Sequence, residues 1–457
     1  MFFVFVIVTY LLSLLIANLT VRDRISKFII FTHLSYWFIC LAFSYFNPFG
    51  LYEVSSRTYA IFILHTLSFF VGFLVVYPRI NNEGLSTIGI KCWETIDRIQ
   101  KNKLWLIFCS CYILLMLYVF YQYKEVILIY TVSDVARNID LLFEDKGLLS
   151  SVYRLILPAF NILFVFLLTY SFLYKKEWKY IIIYAIPVVI KSLIGGSRGS
   201  IMIIVVYIAI LYLFSFFLDA RHKNSKMLTT KKIALLSIAF VFVYVTASYL
   251  SYLRNITRGG EATELTINAI EEGARDLNKD ILVYHIGPFR AFDYAMERNY
   301  LKNIGGYQYG RATFMGLEGF ISMFTTQIGY EIKTVYDKTV KVQQVNIITI
   351  GNSSHDGPIE FNFAYTNAMI FYYDLGVWGV FLFSFLYGMM TRVAIKRLYR
   401  KKSLFSLMIV TYLFYSITRV GFQWVFVSPA IFVFLFLLLF CDLPVFGHKR
   451  SFLKTQN

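Results

Sequence analysis

The sequence predicts an all-α polytopic membrane protein with about eleven transmembrane helices and one long extracytoplasmic loop between helices 8 and 9. Three observations predict it. Hydrophobic residues make up 58% of the 457 and the mean hydropathy is +0.62, more apolar surface than a soluble fold of this length needs. Apolar runs of about 20 residues, enough to cross a bilayer, recur along the chain. The excess charge is confined to alternate loops.

The runs fall near 2–19, 28–46, 58–77, 104–121, 155–174, 180–196, 200–218, 233–253, 364–390, 403–420 and 425–441. Helices are the expected spans, because each satisfies its own backbone hydrogen bonds in lipid. A β-barrel would alternate every second residue, and these runs do not. The first run lacks a basic leader and a small-residue cleavage site. It reads as a retained span.

Lys and Arg set the orientation. Six connections (22–27, 79–103, 175–179, 219–232, 392–402 and the tail from 442) hold 25 of the 44 cations against seven acids. That is a net of +18, and everything else carries −1 of the overall +17. These connections are expected in the cytoplasm, with the amino terminus outside and the carboxyl terminus inside. Charge spread over short stubs argues against nucleic-acid binding. The chain therefore divides into helices 1–8 (1–253), an extracytoplasmic loop (254–363), helices 9–11 (364–441) and a tail (442–457).

Cys40, Cys109, Cys111 and Cys441 fall within or beside spans and Cys92 in a cytoplasmic loop. Neither a disulfide framework nor a cysteine metal site is expected. There is no internal repeat of the kind that marks secondary transporters.

Three regions carry chemistry. Gly195-Gly196-Ser197-Arg198-Gly199 joins the sixth and seventh runs. Glycine lets a ligand approach the backbone, Ser200 opens a helix, and the Arg198 fork suits phosphate. The competing structural reading is a glycine turn with a snorkelling Arg. Lys191, inside the preceding run, needs a partner, a polar cavity or a snorkelled head group. The long loop is expected to be largely helical. An acidic amphipathic stretch covers 261–280, and helical spacing over 281–298 is expected to break at Gly287-Pro288. A Gly- and aromatic-rich stretch over 305–330 suits a membrane surface. Its cations are Arg254, Arg258, Arg290 and Arg311, and His285 is a base candidate. Each Arg singly reads equally as a solvated or salt-bridged surface residue. The third region, 355–379, leads into the ninth run. His355, Asp356 and Glu360 cluster at its mouth, any of them a base if tuned. Asp374 lies about ten residues into the run, where a carboxylate is a functional candidate or a helix-end stabiliser. Arg419 sits at the outer end of the tenth run.

These regions resemble the O-antigen polymerase (Wzy-type) oligosaccharide repeat-unit polymerases. The resemblance rests on Gly196-Ser197-Arg198-Gly199 between two spans and on Tyr284-His285-Ile286-Gly287-Pro288-Phe289-Arg290-Ala291-Phe292-Asp293 in a long outer loop. Tyr309-Gly310-Arg311-Ala312-Thr313-Phe314 follows. Then come Tyr365-Thr366 and Tyr373-Asp374-Leu375-Gly376-Val377-Trp378-Gly379. The resemblance implies a GT-C-like membrane glycosyltransferase, independent of metals and cofactors, in the bacterial cell (inner) membrane. It implies a donor of undecaprenyl-diphosphate-linked oligosaccharide, and possibly a polysaccharide chain-length regulator as partner. Arg198, Lys191, Arg254, Arg258, Arg290, Arg311, Arg419 and Tyr373 form the pool that would hold the diphosphate and glycan. Arg198, His355, Glu360, Asp374 and His285 form the catalytic pool. A related O-antigen ligase carries a His where this chain has Tyr365, which leaves the base open. A lipid-linked glycan flippase is the alternative outside the transferases. It rarely needs a long folded outer loop.

Overall fold

The computed structural model describes residues 2–48, 50–76, 85–129, 155–174, 177–195, 204, 206–214, 241, 244–245, 248, 267–330, 332–335, 347–353, 357–362, 366–419 and 424–441. Helices dominate, and five of those described are long and apolar enough to cross a membrane.

The first three helices are α1 (Phe2–Thr20), α2 (Arg24–Phe46) and α3 (Ser56–Val75). Asp23 caps α2 by accepting from Ser26 N, and Ser55 caps α3 by accepting from Thr58 N. Such caps satisfy amide donors that have no partner inside the helix. The basic stretch between the third and fourth runs holds a helix of its own, α4 (Leu85–Lys101). Its Ile88, Cys92 and Ile96 are buried at helical spacing and its polar side is open, so it lies along the bundle as an amphipathic element. Next come α5 (Lys103–Ile129), α6 (Leu157–Tyr174) and α7 (Trp178–Gly195). Residues 206–214 of the seventh run are helical, whereas most of the eighth lies outside the described residues.

The long loop contributes α8 (Ile267–Glu297), α9 (Tyr300–Asn303) and α10 (Met315–Gln327). It also contains a β-hairpin, which corrects the all-α expectation. Strands β1 (Ile347–Ser353) and β2 (Gly357–Asn362) pair antiparallel, Ile347 opposite Asn362 and Ser353 opposite Gly357. Ile348, Ile350, Ile359 and Phe361 are buried, as the two-residue strand period requires. The expected break at Gly287-Pro288 does not occur, and α8 runs through Pro288. Gly287 serves packing instead. A Cβ there would lie 2.9 Å from Ile350 Cδ1 and from Phe361 Cε2, so only glycine lets the hairpin sit on α8. The hairpin is tied to the connection between α2 and α3, Tyr52 N donating to Ile350 O at 2.7 Å and Asn352 N to Gly50 O at 3.0 Å.

The chain closes with α11 (Asn367–Lys401), α12 (Leu404–Arg419) and α13 (Pro429–Cys441). Helices α3 and α11 pack side by side through small residues. A Cβ on Gly72 would meet the Phe385 carbonyl, and one on Gly388 the Phe69 carbonyl. Between lipid-embedded helices no hydrophobic effect drives association, so close backbone approach supplies the attraction. At one end of the bundle Arg392 Nη1 donates to Asp23 Oδ2 at 2.6 Å, and both residues are buried. At the other end, residues 50–55, α8, the hairpin and the start of α11 gather. The candidate site forms there.

Candidate functional site

Helix α11 is interrupted at Leu375 and Gly376, where φ at Gly376 is +62°. The interruption makes the carbonyls just before it available to the long loop. Tyr373 O accepts from Gln308 N at 2.9 Å, and Asp374 O from Tyr309 N at 3.1 Å. The Asp374 carboxylate, fully buried, accepts from Ala312 N at 2.9 Å, Thr313 N at 2.8 Å and the Thr313 hydroxyl at 2.5 Å. Trp424 Nε1 donates to Thr313 O at 2.8 Å from the far side. The loop turns through Gly305, Gly306, Tyr309 and Gly310, all at positive φ. A carboxylate, two helix carbonyls and an indole thus fix the turn that bears Arg311.

Arg311 points from this turn toward Glu318 in the first turn of α10. Arg311 Nε donates to Glu318 Oε1 at 3.1 Å and Nη2 contacts the same oxygen. Nη2 also reaches the Lys333 carbonyl at 3.3 Å. The second Glu318 oxygen accepts from Val335 N at 2.8 Å, which orients the carboxylate. The Arg311 side chain is 48% exposed and that of Glu318 17%. Both line an open groove of about 570 Å³, otherwise walled by apolar side chains including Phe314, Leu317, Ile321 and Phe383. Phe383 belongs to α11, so the groove runs from the long loop onto a helix long and apolar enough to cross a membrane. Tyr309, 77% exposed, also lines it, and Trp378 on α11 and Tyr330 just past α10 are exposed as well. Exposed Trp and Tyr at a helix end are the aromatic pattern of a bilayer interface.

The other sequence candidates fall in different places. Arg290 is held by Asp293 at 2.9 Å and by both oxygens of Glu297 at 3.0 and 3.1 Å. Two carboxylates against one guanidinium leave it no net positive charge to offer. Asp293 also accepts from Ser55 N at 3.0 Å and the Thr58 hydroxyl at 2.6 Å, which docks α8 on the start of α3. His285 faces away from the groove, its Nδ1 2.9 Å from Tyr36 Oη on α2. Burial pushes the His285 imidazole below its ordinary pKa. The Asp374 carboxylate, expected among the catalytic candidates, anchors the turn and has each oxygen engaged by donors. The Tyr373 side chain is buried. Lys191 lies on α7, which packs on α5 and α6. The backbones of Arg419 and Glu360 are described, Arg419 ending α12 and Glu360 pairing with Thr349. Arg198, Arg254, Arg258 and His355 lie outside the described residues.

Two residues escaped the sequence reading. Glu318 stands seven positions after Arg311, a spacing that returns to one side only once a helix is assumed. Arg57 is the lone cation between Asn47 and the third span. It is exposed, and its Nη2 donates to Tyr372 Oη on α11 at 3.2 Å. A lone Arg on the side otherwise poor in cations was the available signal. Among the described residues, no three His, Cys, Asp or Glu side chains form a metal-binding group.

The model of one family, described as O-antigen polysaccharide polymerase Wzy, matches residues 1–446. No curated protein and no solved structure matches the chain.

Proposed function

This chain belongs to the O-antigen polysaccharide polymerase Wzy family, and we propose that its reaction is run at the Arg311–Glu318 groove. The protein is a multi-pass membrane protein that polymerises lipid-linked oligosaccharide repeat units into polysaccharide.

In this reading the chain is a GT-C type, metal-independent glycosyltransferase working on the outer face of the cell membrane. Its amino terminus is outside and its carboxyl terminus in the cytoplasm. The donor is a glycan on undecaprenyl diphosphate. One observation carries the reading: a half-exposed guanidinium stands at an apolar groove open at the level of the interfacial aromatics. A polyprenyl chain lies along Phe314, Leu317, Ile321 and Phe383, and its diphosphate meets Arg311. The planar fork binds phosphate oxygens in pairs. When the bond between the sugar anomeric carbon and the diphosphate oxygen breaks, that oxygen takes the electron pair. Arg311 then stabilises the charge that develops. The acceptor hydroxyl attacks the anomeric carbon and gives its proton to a carboxylate, for which Glu318 on the groove wall is a candidate once the diphosphate has drawn Arg311 from its Oε1. Arg198, Arg254, Arg258 and Arg419 are further cations for the diphosphate or glycan. His355 and Glu360 are further candidates for the base.

The test is a deletion strain complemented with wild type, Arg311→Ala or Arg311→Lys at matched membrane levels. The expected result is loss of long polymer in both variants with accumulation of single repeats on lipid, since Lys cannot reproduce the fork. Wild-type polymer lengths in Arg311→Ala would overturn the assignment. Absence of any repeat on the outer face would point to flipping instead.

A further inference from the structure

Midway along the bundle three polar rings meet where α2, α3 and α11 pack. His33 and Trp37 lie one turn apart on α2, and His65 faces them from α3. The ring centroids of His33 and His65 are 6.1 Å apart and those of His65 and Trp37 5.2 Å. All three residues are fully buried. His65 Nδ1 is 2.6 Å from Ser384 Oγ on α11. Both ring nitrogens of His33, Nε2 of His65 and Nε1 of Trp37 have no hydrogen-bond partner among the described residues.

Buried polar groups of this kind bear the full cost of desolvation unless something satisfies them. A neutral imidazole offers one donor and one acceptor, and an indole offers a donor only. The rings meet edge to face at 69° and 77°, an arrangement in which they pack without bonding one another directly. A small molecule that both donates and accepts fits such a set. A bare cation suits it less well, because an indole offers a donor and no lone pair. Phe69 stacks on His33 at 3.9 Å, so one face of that ring is already filled by carbon. We propose that the junction of α2, α3 and α11 binds ordered water inside the transmembrane bundle, held by His33, His65 and Trp37. Buried waters take about three hydrogen bonds to polar groups that lack other partners, and this cluster supplies them. Either tautomer of His65 is served, since water accepts from an N–H and donates to a lone pair. The site is separate from the Arg311 groove, and its fate does not depend on that assignment.

Hydroxyl-radical footprinting of the purified full-length protein in lipid nanodiscs tests it, because radicals formed from bound water oxidise the side chains around it. Trp424 is the internal reference: it too is buried, but its Nε1 is bonded to Thr313 O at 2.8 Å. The expected result is oxidation of Trp37 and His33 severalfold faster than Trp424. The Trp37→Phe variant should lower oxidation of His33. Equal, slow oxidation of Trp37 and Trp424 in the wild type would overturn the proposal, as would a stoichiometric zinc or copper ion in the purified protein. The wild-type measurement stands even if a variant fails to fold.

Discussion

The carboxylate of Asp374 accepts a hydrogen bond from the backbone N–H of Thr313 at 2.8 Å, across 61 residues of chain. With the Ala312 amide and the Thr313 hydroxyl on the same carboxylate, this contact fastens the long loop to the interruption in α11. Within the polymerase, Arg311 owes its position to an acidic residue that it does not touch.

Asp374→Asn should therefore loosen the turn. An amide turns an NH2 group toward donors that now meet an acceptor, and leaving buried amides unsatisfied costs about 1–3 kcal/mol. Hydrogen exchange of the amides at 309–313 should quicken while α3 stays protected, and polymer length should fall with it. Unchanged exchange at Ala312 and Thr313 would show that the carboxylate does not hold the turn.

Gly287→Ala should destabilise the protein, although alanine is the better helix former by about 1 kcal/mol. The added methyl would stand 2.9 Å from Ile350 and Phe361 side chains on the hairpin. Overpacking of this kind costs about 1–3 kcal/mol. Thermal unfolding of the purified protein gives the sign directly. A rise in midpoint would mean that the hairpin does not rest on α8.

His285 should make stability depend on pH. Burial lowers its folded-state pKa, while the unfolded chain protonates it near the ordinary value of about 6.5. Below that pH the unfolded state binds a proton that the folded state refuses, so stability falls as pH falls. The loss levels off below the folded pKa. The midpoint should drop between about pH 7 and pH 5 in the wild type, and the drop should shrink in His285→Gln. Equal slopes for both proteins would remove His285 as the cause.

Arg392→Met should be more damaging than Arg392→Met combined with Asp23→Asn. The single change strands a buried carboxylate, a loss of about 3–5 kcal/mol, whereas the pair removes both charges. The amount of folded protein in the membrane reports the difference. A double variant no better than the single would mean that the cap Asp23 places on Ser26 N outweighs the ion pair.

Much of the architecture was legible in local patterns. The spans at 2–19, 28–46 and 58–77 lie within a few residues of α1, α2 and α3, because hydropathy is a property of contiguous residues. The hairpin was not legible. Its strands themselves carry Gly351, Asn352 and Gly357, poor strand formers, and their buried face exists only because α8 and residues 50–52 cover it. The amphipathic α4 was passed over for a related reason: its apolar stripe is narrow beside the spans on either side.

The candidate site divides along the same line. Arg290 and Arg311 could be picked out by the short motifs around them, and Asp374 because a carboxylate in a span is costly and stands out. Their partners could not. Arg290 was neutralised by Asp293 and Glu297 along its own helix, Arg311 was left half-exposed at an apolar groove, and Asp374 was turned to the backbone of the loop. What the sequence alone determined was the class, the spans and the expected sorting of charge, since each depends on hydrophobicity and charge read along the chain. Only the tertiary structure decided which charges remain available, since a charge is used up by the partners that folding brings within hydrogen-bonding reach, from Asp293 on the same helix as Arg290 to the Thr313 amide, 61 residues before Asp374.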